Sequence, residues 1–193
     1  MPERFPIRLC VCGFLAILSA ATIARGADEY TLDPMHSGVN FKISHLGLSW
    51  IHGRFDEISG HFTIDPQDPG SSSFEMTINA ESVDTNNKKR DDHLRSPDFF
   101  NAKQFPTMTF KSTSVRPSKD GYDVTGDFTM HGVTRPVKFQ LVGGRTKDFP
   151  KGVHRTGFSA EIVLKQSEFG MTKFAQALGD NVYTEVSFEG TKK

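Results

Sequence analysis

Apolar and polar residues alternate along most of this chain, and a period of two is what a strand with one buried face requires. Val39, Phe41 and Ile43 alternate with Asn40, Lys42 and Ser44, and Phe74, Met76 and Ile78 with Glu75, Thr77 and Asn79. Tyr122, Val124, Gly126, Phe128 and Met130 oppose Asp123, Thr125, Asp127 and Thr129. The pattern returns in Val137, Phe139 and Leu141, in Phe158, Ala160, Ile162 and Leu164, and in Val182, Thr184, Val186 and Phe188. Polar residues interrupt every run, so these are half-exposed antiparallel strands and not the unbroken apolar strands of a parallel sheet. Parity switches once, between Ile51, Gly53, Phe55 and Ile58, Gly60, Phe62, Ile64. A bulge or tight turn at Asp56-Glu57 returns all seven to one face.

Turn residues separate the runs at Asp65 to Gly70, Pro117 to Gly121 and Gly143-Gly144. Helical signals are few: Arg90 to Leu94, with Asp91 and Asp92 suited to a first turn, Ser96 to Asn101, and a stretch near Lys173 to Leu178. About eight such strands in one domain make either a two-sheet sandwich or a closed barrel. Glycines on the inward face, Gly53, Gly60 and Gly126, permit strong bending of long strands, and closure removes exposed edges. Both favour an all-β, antiparallel β-barrel of about eight strands with one or two short helices, wide enough to hold a small ligand.

Composition narrows the class. The 193 residues carry 23 basic and 23 acidic side chains, which argues against a nucleic-acid partner. Aromatics are lopsided, with 17 Phe against 3 Tyr and 1 Trp, a preference that suits a dry interior. At the N-terminus, Arg4 and Arg8 precede an apolar run from Leu9 to Leu18 and then small residues, the layout of a secretory signal. Cleavage is expected after Ala24 or Gly26, the second being preferred; a retained anchor is the alternative, disfavoured by the short apolar run. Residues 1–26 are thus read as a signal peptide and 27–193 as the working domain. Both cysteines, Cys10 and Cys12, lie in the leader, so the exported chain has no disulfide, which fits a bacterial periplasm.

A series of short motifs runs through the domain: Asp33-Pro34-Met35-His36-Ser37, Phe41-Lys42-Ile43-Ser44-His45-Leu46-Gly47, Gly53-Arg54-Phe55, Lys89-Arg90-Asp91-Asp92-His93-Leu94-Arg95-Ser96, Asp98-Phe99-Phe100-Asn101, Gly126-Asp127-Phe128-Thr129-Met130-His131-Gly132 and Glu168-Phe169-Gly170. Each is weak alone, but the ordered set resembles the YceI-like family of exported lipid-binding proteins over nearly all of 27–193. The resemblance implies a lipocalin-like barrel, with a helix near Arg90 to Asn101, enclosing a long apolar chain such as a polyisoprenoid, an isoprenoid quinone or a fatty-acid derivative. That chain is a ligand, and no cofactor is expected. Two departures stand out: Gln166 where such sequences often carry arginine, and Asn101 where they often carry aspartate.

An apolar tail is driven from water at about 0.8 kcal/mol per buried CH2, so a long dry tunnel is all that binding requires. The inward candidates are Phe41, Ile43, Phe55, Phe62, Phe74, Met76, Ile78, Phe110, Phe128, Met130, Phe139, Phe158, Ile162 and Phe188, each of which also fits simple core filling. Phe99, Phe100 and Phe105, in an irregular segment, are read as a lid, with Leu94 and His93 beside them. His45 continues the inward parity at a strand end and would meet a head group or a neighbouring backbone. Arg90, Asp91, His93 and Arg95 fit an ion-paired helix anchor or a ligand clamp. His52 and His61 would face each other across a two-residue hairpin at Asp56-Glu57, but their outward parity and the lack of a third ligand argue against a metal. There is no serine elbow.

The leading expectation is therefore a non-enzymatic periplasmic carrier that contacts a membrane transiently; a homodimer is compatible with the sequence, which does not fix the oligomeric state. One alternative is an enzyme acting on such a lipid with His45 or His93 as acid or base. Another is a ligand-free protein whose barrel is filled by its own side chains.

Overall fold

The computed structural model describes residues 26–193; the expected signal peptide lies outside them except for Gly26. The described residues form ten strands: β1 (Asp28–His45), β2 (Ser49–Phe55), β3 (Ile58–Ile64), β4 (Ser73–Asn79), β5 (Val83–Asp84), β6 (Thr107–Ser118), β7 (Gly121–Met130), β8 (Val133–Asp148), β9 (His154–Lys165) and β10 (Leu178–Lys192). Among the described residues a single α-helix, α1 (Lys88–Arg95), follows β5. All strand pairings are antiparallel, and β10 pairs with β1, so the sheet closes.

β2 and β3 are one strand broken in the middle. β2 pairs with the second half of β1, Val39 opposite Phe55, and β3 with its first residues, Thr31 opposite His61. The break falls at Asp56-Glu57, and it keeps Phe55, Ile58 and Phe62 all buried while His52, Arg54, Ser59 and His61 stay exposed. Counting β2 and β3 together, with β5 as a short continuation beside β2, the closed barrel has eight strands. His52 and His61 therefore sit along one strand and do not face each other across a hairpin. Among the described residues no three His, Cys, Asp or Glu side chains gather to hold a metal ion.

Glycine makes room for phenyl rings on the inner wall. A Cβ on Gly53 would lie 2.4 Å from the ring of Phe41, its cross-strand partner, and one on Gly126 would lie 2.5 Å from the ring of Phe110. Both distances are far inside van der Waals contact, so these rings lie flat over bare backbone.

At one end the interior is solid. Tyr30 stacks on Phe62 at 4.9 Å between centroids, Phe62 on Phe74 at 5.7 Å, and Phe158 meets Phe62, Phe74, Tyr122 and Phe188 at 5.5–5.9 Å. Offset and edge-on ring pairs of this kind add about 0.5–1.5 kcal/mol each beyond area burial. Outside this plug, β1 bulges between Asp33 and Gly38. Asp33 holds the bulge: its carboxylate accepts from Met35 N at 3.0 Å, from His36 Nδ1 at 2.9 Å and from Arg155 Nη1 at 2.6 Å, while Ser37 Oγ donates to its carbonyl. The bonds from Arg155 and His36 lower the Asp33 pKa to about 2.

The expected helix exists, extended to Lys88–Arg95. Asn87 caps it by accepting from Arg90 N at 3.1 Å, and Asp91 sits in the positive first turn. The other two helical expectations are corrected: Ser96 to Asn101 and the stretch from Lys173 form successive turns. Pro97 and Gly170 flank segments too short to bury a helical stripe of their own, so local turn bonds prevail.

Candidate functional site

At the end opposite the ring plug the barrel is hollow. Three contiguous chambers run inward from this mouth. The deepest, about 80 Å³, is walled by Met76, Phe110, Phe128, Phe139, Ile162 and Val186 and floored by Phe62, Phe74 and Phe188 of the plug. His61 and Glu75 border it too, but their side chains turn outward, where they approach to 3.5 Å. A middle chamber of about 100 Å³ shares Val39, Ile78, Phe128, Leu164 and Thr184 with the first and adds Phe41, Ile43, Phe55, Leu94, Phe100, Met108 and Met130. An outer chamber of about 240 Å³ shares Phe41, Ile43, Leu94, Phe99 and Leu178 and reaches His45, Arg90, His93 and Phe174. Phe41, Met76, Phe110, Phe139, Ile162 and Leu164 pack on the core yet keep accessible surface, although all point inward. Large apolar groups in that state mean that space lies beside them. One water needs only about 10–15 Å³ but also two or more polar partners, which these walls scarcely offer. The space suits hydrocarbon.

Apart from Thr184 and Gln166 in the inner walls, polarity is concentrated towards the mouth, where α1 delivers it. Asp91 is buried, accepting from Thr85 N at 2.9 Å and from the Thr85 hydroxyl. That hydroxyl in turn accepts from Arg90 Nε at 2.7 Å, and Arg90 Nη2 donates to the Thr85 carbonyl at 2.7 Å. Arg95 donates to the Glu81 and Val83 carbonyls. Asp91 and Arg95 thus anchor the helix, whereas half-buried Arg90 also lines the outer chamber. His45 stands opposite, inward at the end of β1 as its parity required, and among the described residues its ring has no hydrogen-bond partner in the structure. Beside the mouth, β5 pairs with β2 only at Arg54 and Phe55, which leaves a wide polar groove bordered by His45, Ser49, Trp50, Thr85 and Arg90.

Two irregular segments close over the opening. Phe99 and Phe174 stack at 5.1 Å with planes 9° apart, and the His93 ring sits edge-on to both at 5.1 and 5.2 Å. Asp98 ties the segments together, accepting from His93 Nε2 at 2.9 Å and from Lys173 Nζ. Lys173, then His93, hold the Asp98 carboxyl below its ordinary pKa.

Of the residues proposed from parity and motif, Phe41, Ile43, His45, Phe55, Phe62, Phe74, Met76, Ile78, His93, Leu94, Phe99, Phe100, Phe110 and Phe128 border these chambers. Two do not. Phe158 is buried inside the plug, behind its neighbours' rings, and Phe105 leaves the lid to pack on the turn at His131-Gly132, 5.1 Å from the imidazole. Gln166, standing where arginine is frequent in similar sequences, is buried in the middle chamber's wall and donates to the Gly179 carbonyl at 2.9 Å. Phe174 was missed, because its segment has no periodicity and its partner is far away in sequence.

Residues 30–190 match the model of the YceI-like domain. The chain belongs to the YceI-like family. It is 41% identical over 181 residues to Protein YceI of Salmonella arizonae, covering 93% of this chain and 95% of that one. Among solved structures, the YceI-like fold recurs in Campylobacter jejuni YceI, 28% identical with a TM-score of 0.69 over 78% of this chain and 90% of that one. BcnA of Burkholderia cenocepacia superposes with a TM-score of 0.74 at 24% identity, over 82% and 98% of the two chains. A polyisoprenoid-binding domain from Saccharophagus degradans, implicated in plant cell wall breakdown, gives 0.67 at 18% identity, over 85% and 98%. At those last two identities the likeness is one of fold.

Proposed function

We propose that this protein is an exported, periplasmic carrier that holds one long-chain apolar lipid, a polyisoprenoid, isoprenoid quinone or fatty-acid derivative, in its barrel without altering it. The observation that carries this reading is the series of apolar chambers leading from the mouth to an aromatic floor. A tail threaded from His45 to Phe62 would lose its water along its whole length, at about 0.8 kcal/mol per CH2, which exceeds what any single polar contact adds. Arg90, His45 and His93 would then meet the polar end, and the Phe99–Phe174 stack would cover it. The family relationship and the polyisoprenoid-binding domain of the same fold agree with this reading. Against catalysis, among the described residues no carboxylate bonds the ring of His45 to set its tautomer, and His93 engages Asp98 on the exposed side.

The test is an organic extract of protein purified from its own host, examined by mass spectrometry. A stoichiometric long-chain lipid is expected. Repeated recovery of empty protein that also fails to take up added polyisoprenoid or quinone refutes the reading.

A further inference from the structure

The hairpin joining β8 to β9 continues past the plugged end of the barrel, and its tip stands clear of the wall: residues 145–152 are all exposed. Its tip carries Phe149, 72% exposed, and three cations, Arg145, Lys147 and Lys151, that make no ion pair among the described residues. Within it, the acidic side chain Asp148 is already taken by His154. One guanidinium gathers the exposed apolar groups at this end. Arg155 donates from Nε to the Phe149 carbonyl at 2.8 Å and from Nη1 to Asp33, whose bulge presents Met35 at 87% exposure. Apolar tips flanked by unpaired cations do nothing for the fold, and a β-hairpin without a packed face is marginal by itself.

We infer that this end, Met35, Phe149, Arg145, Lys147 and Lys151, is a foot that docks on an anionic lipid bilayer. Cations near such a surface are attracted by its negative potential, and an aromatic ring settles at the head-group level. The foot lies opposite the mouth, so a docked barrel turns its opening away from the bilayer. At the mouth, Leu46, Leu48 and Trp50 are exposed too, but Lys42 beside them lies over the rings of Trp50 and Tyr183, at 5.4 and 5.7 Å. The inference does not depend on what the barrel holds.

The experiment is co-sedimentation with vesicles of phosphatidylcholine alone or mixed with phosphatidylglycerol, at low and at physiological salt. Binding is expected only to the mixed vesicles and weaker in salt. It should fall about a hundredfold in the triple variant Arg145→Gln, Lys147→Gln, Lys151→Gln and about tenfold in Phe149→Ser. The same loss of charge at the mouth end, Lys89→Gln, Lys103→Gln, Lys165→Gln, should leave binding intact. Trp50, the only tryptophan, reports orientation: its emission should not move on binding. Native protein that ignores anionic vesicles, a triple variant that binds like the parent, or a blue shift of Trp50 overturns the inference. All the substituted residues are exposed, and circular dichroism of each variant confirms the fold.

Discussion

The two ends of this barrel use the same residue type for opposite purposes. At the plugged end Phe62, Phe74, Phe158 and Phe188 touch one another and leave no room. Toward the mouth Phe41, Phe55, Phe110 and Phe128 line the chambers and leave a bore between them. Along a strand all of these positions look alike, since each is an inward phenylalanine. What separates them is height along the barrel axis and not a glycine beneath the ring, since Gly190 makes room for Phe62 in the plug as closely as Gly53 does for Phe41.

Truncating a ring at each end should separate them most sharply. Phe158→Ala should destabilise the protein by about 3–5 kcal/mol, as removal of a fully packed ring does, whereas Phe41→Ala, whose ring already borders space, should lose far less. Chemical denaturation of both variants without ligand checks this; equal losses would show that the bore is as well packed as the plug. Ligand should act only on the hollow half. Saturation at a hundred times Kd should add about 2.7 kcal/mol to the native state, read as a higher Tm, and Met76→Trp, which fills the deep chamber, should abolish that rise while keeping the plug.

Acid probes the plugged end. Because Asp33 is held at about 2 against an ordinary 3.8, its stabilising effect is complete above 3.8 and vanishes as pH falls from there toward 2. About 1–2 kcal/mol should be lost across that window, and Asp33→Asn should remove this component from the pH profile. The smallest change in stability is expected at the lid. Asp98→Asn unties His93 and Lys173, both solvent-exposed, so the melting curve should hardly move. Release of a bound apolar fluorophore should nevertheless quicken severalfold in stopped-flow, and unchanged release would mean that the Phe99–Phe174 stack is no barrier.

Much of this was legible beforehand because a barrel wall obeys parity. The alternation around Phe128 and Val186 placed those side chains inward, and the parity switch at Asp56-Glu57 located the broken strand. Parity is blind to depth, which is why Phe158 was taken for a lining residue when it lies within the plug. It is equally silent about irregular chain. Phe174 and Lys173 meet Phe99 and Asp98 across 75 residues, and nothing periodic connects them. Phe105 stood in the same segment as the true lid residues, yet the tight turn at His131-Gly132 offered its ring a closer surface.

The rings laid over Gly53 and Gly126 carry one more implication. Calibre here belongs to side chains rather than to the backbone, so relatives could widen or narrow the conduit by exchanging a phenyl for an isobutyl or indole group without disturbing a single strand pairing. The shape of the bore can then drift quickly while the architecture stays put.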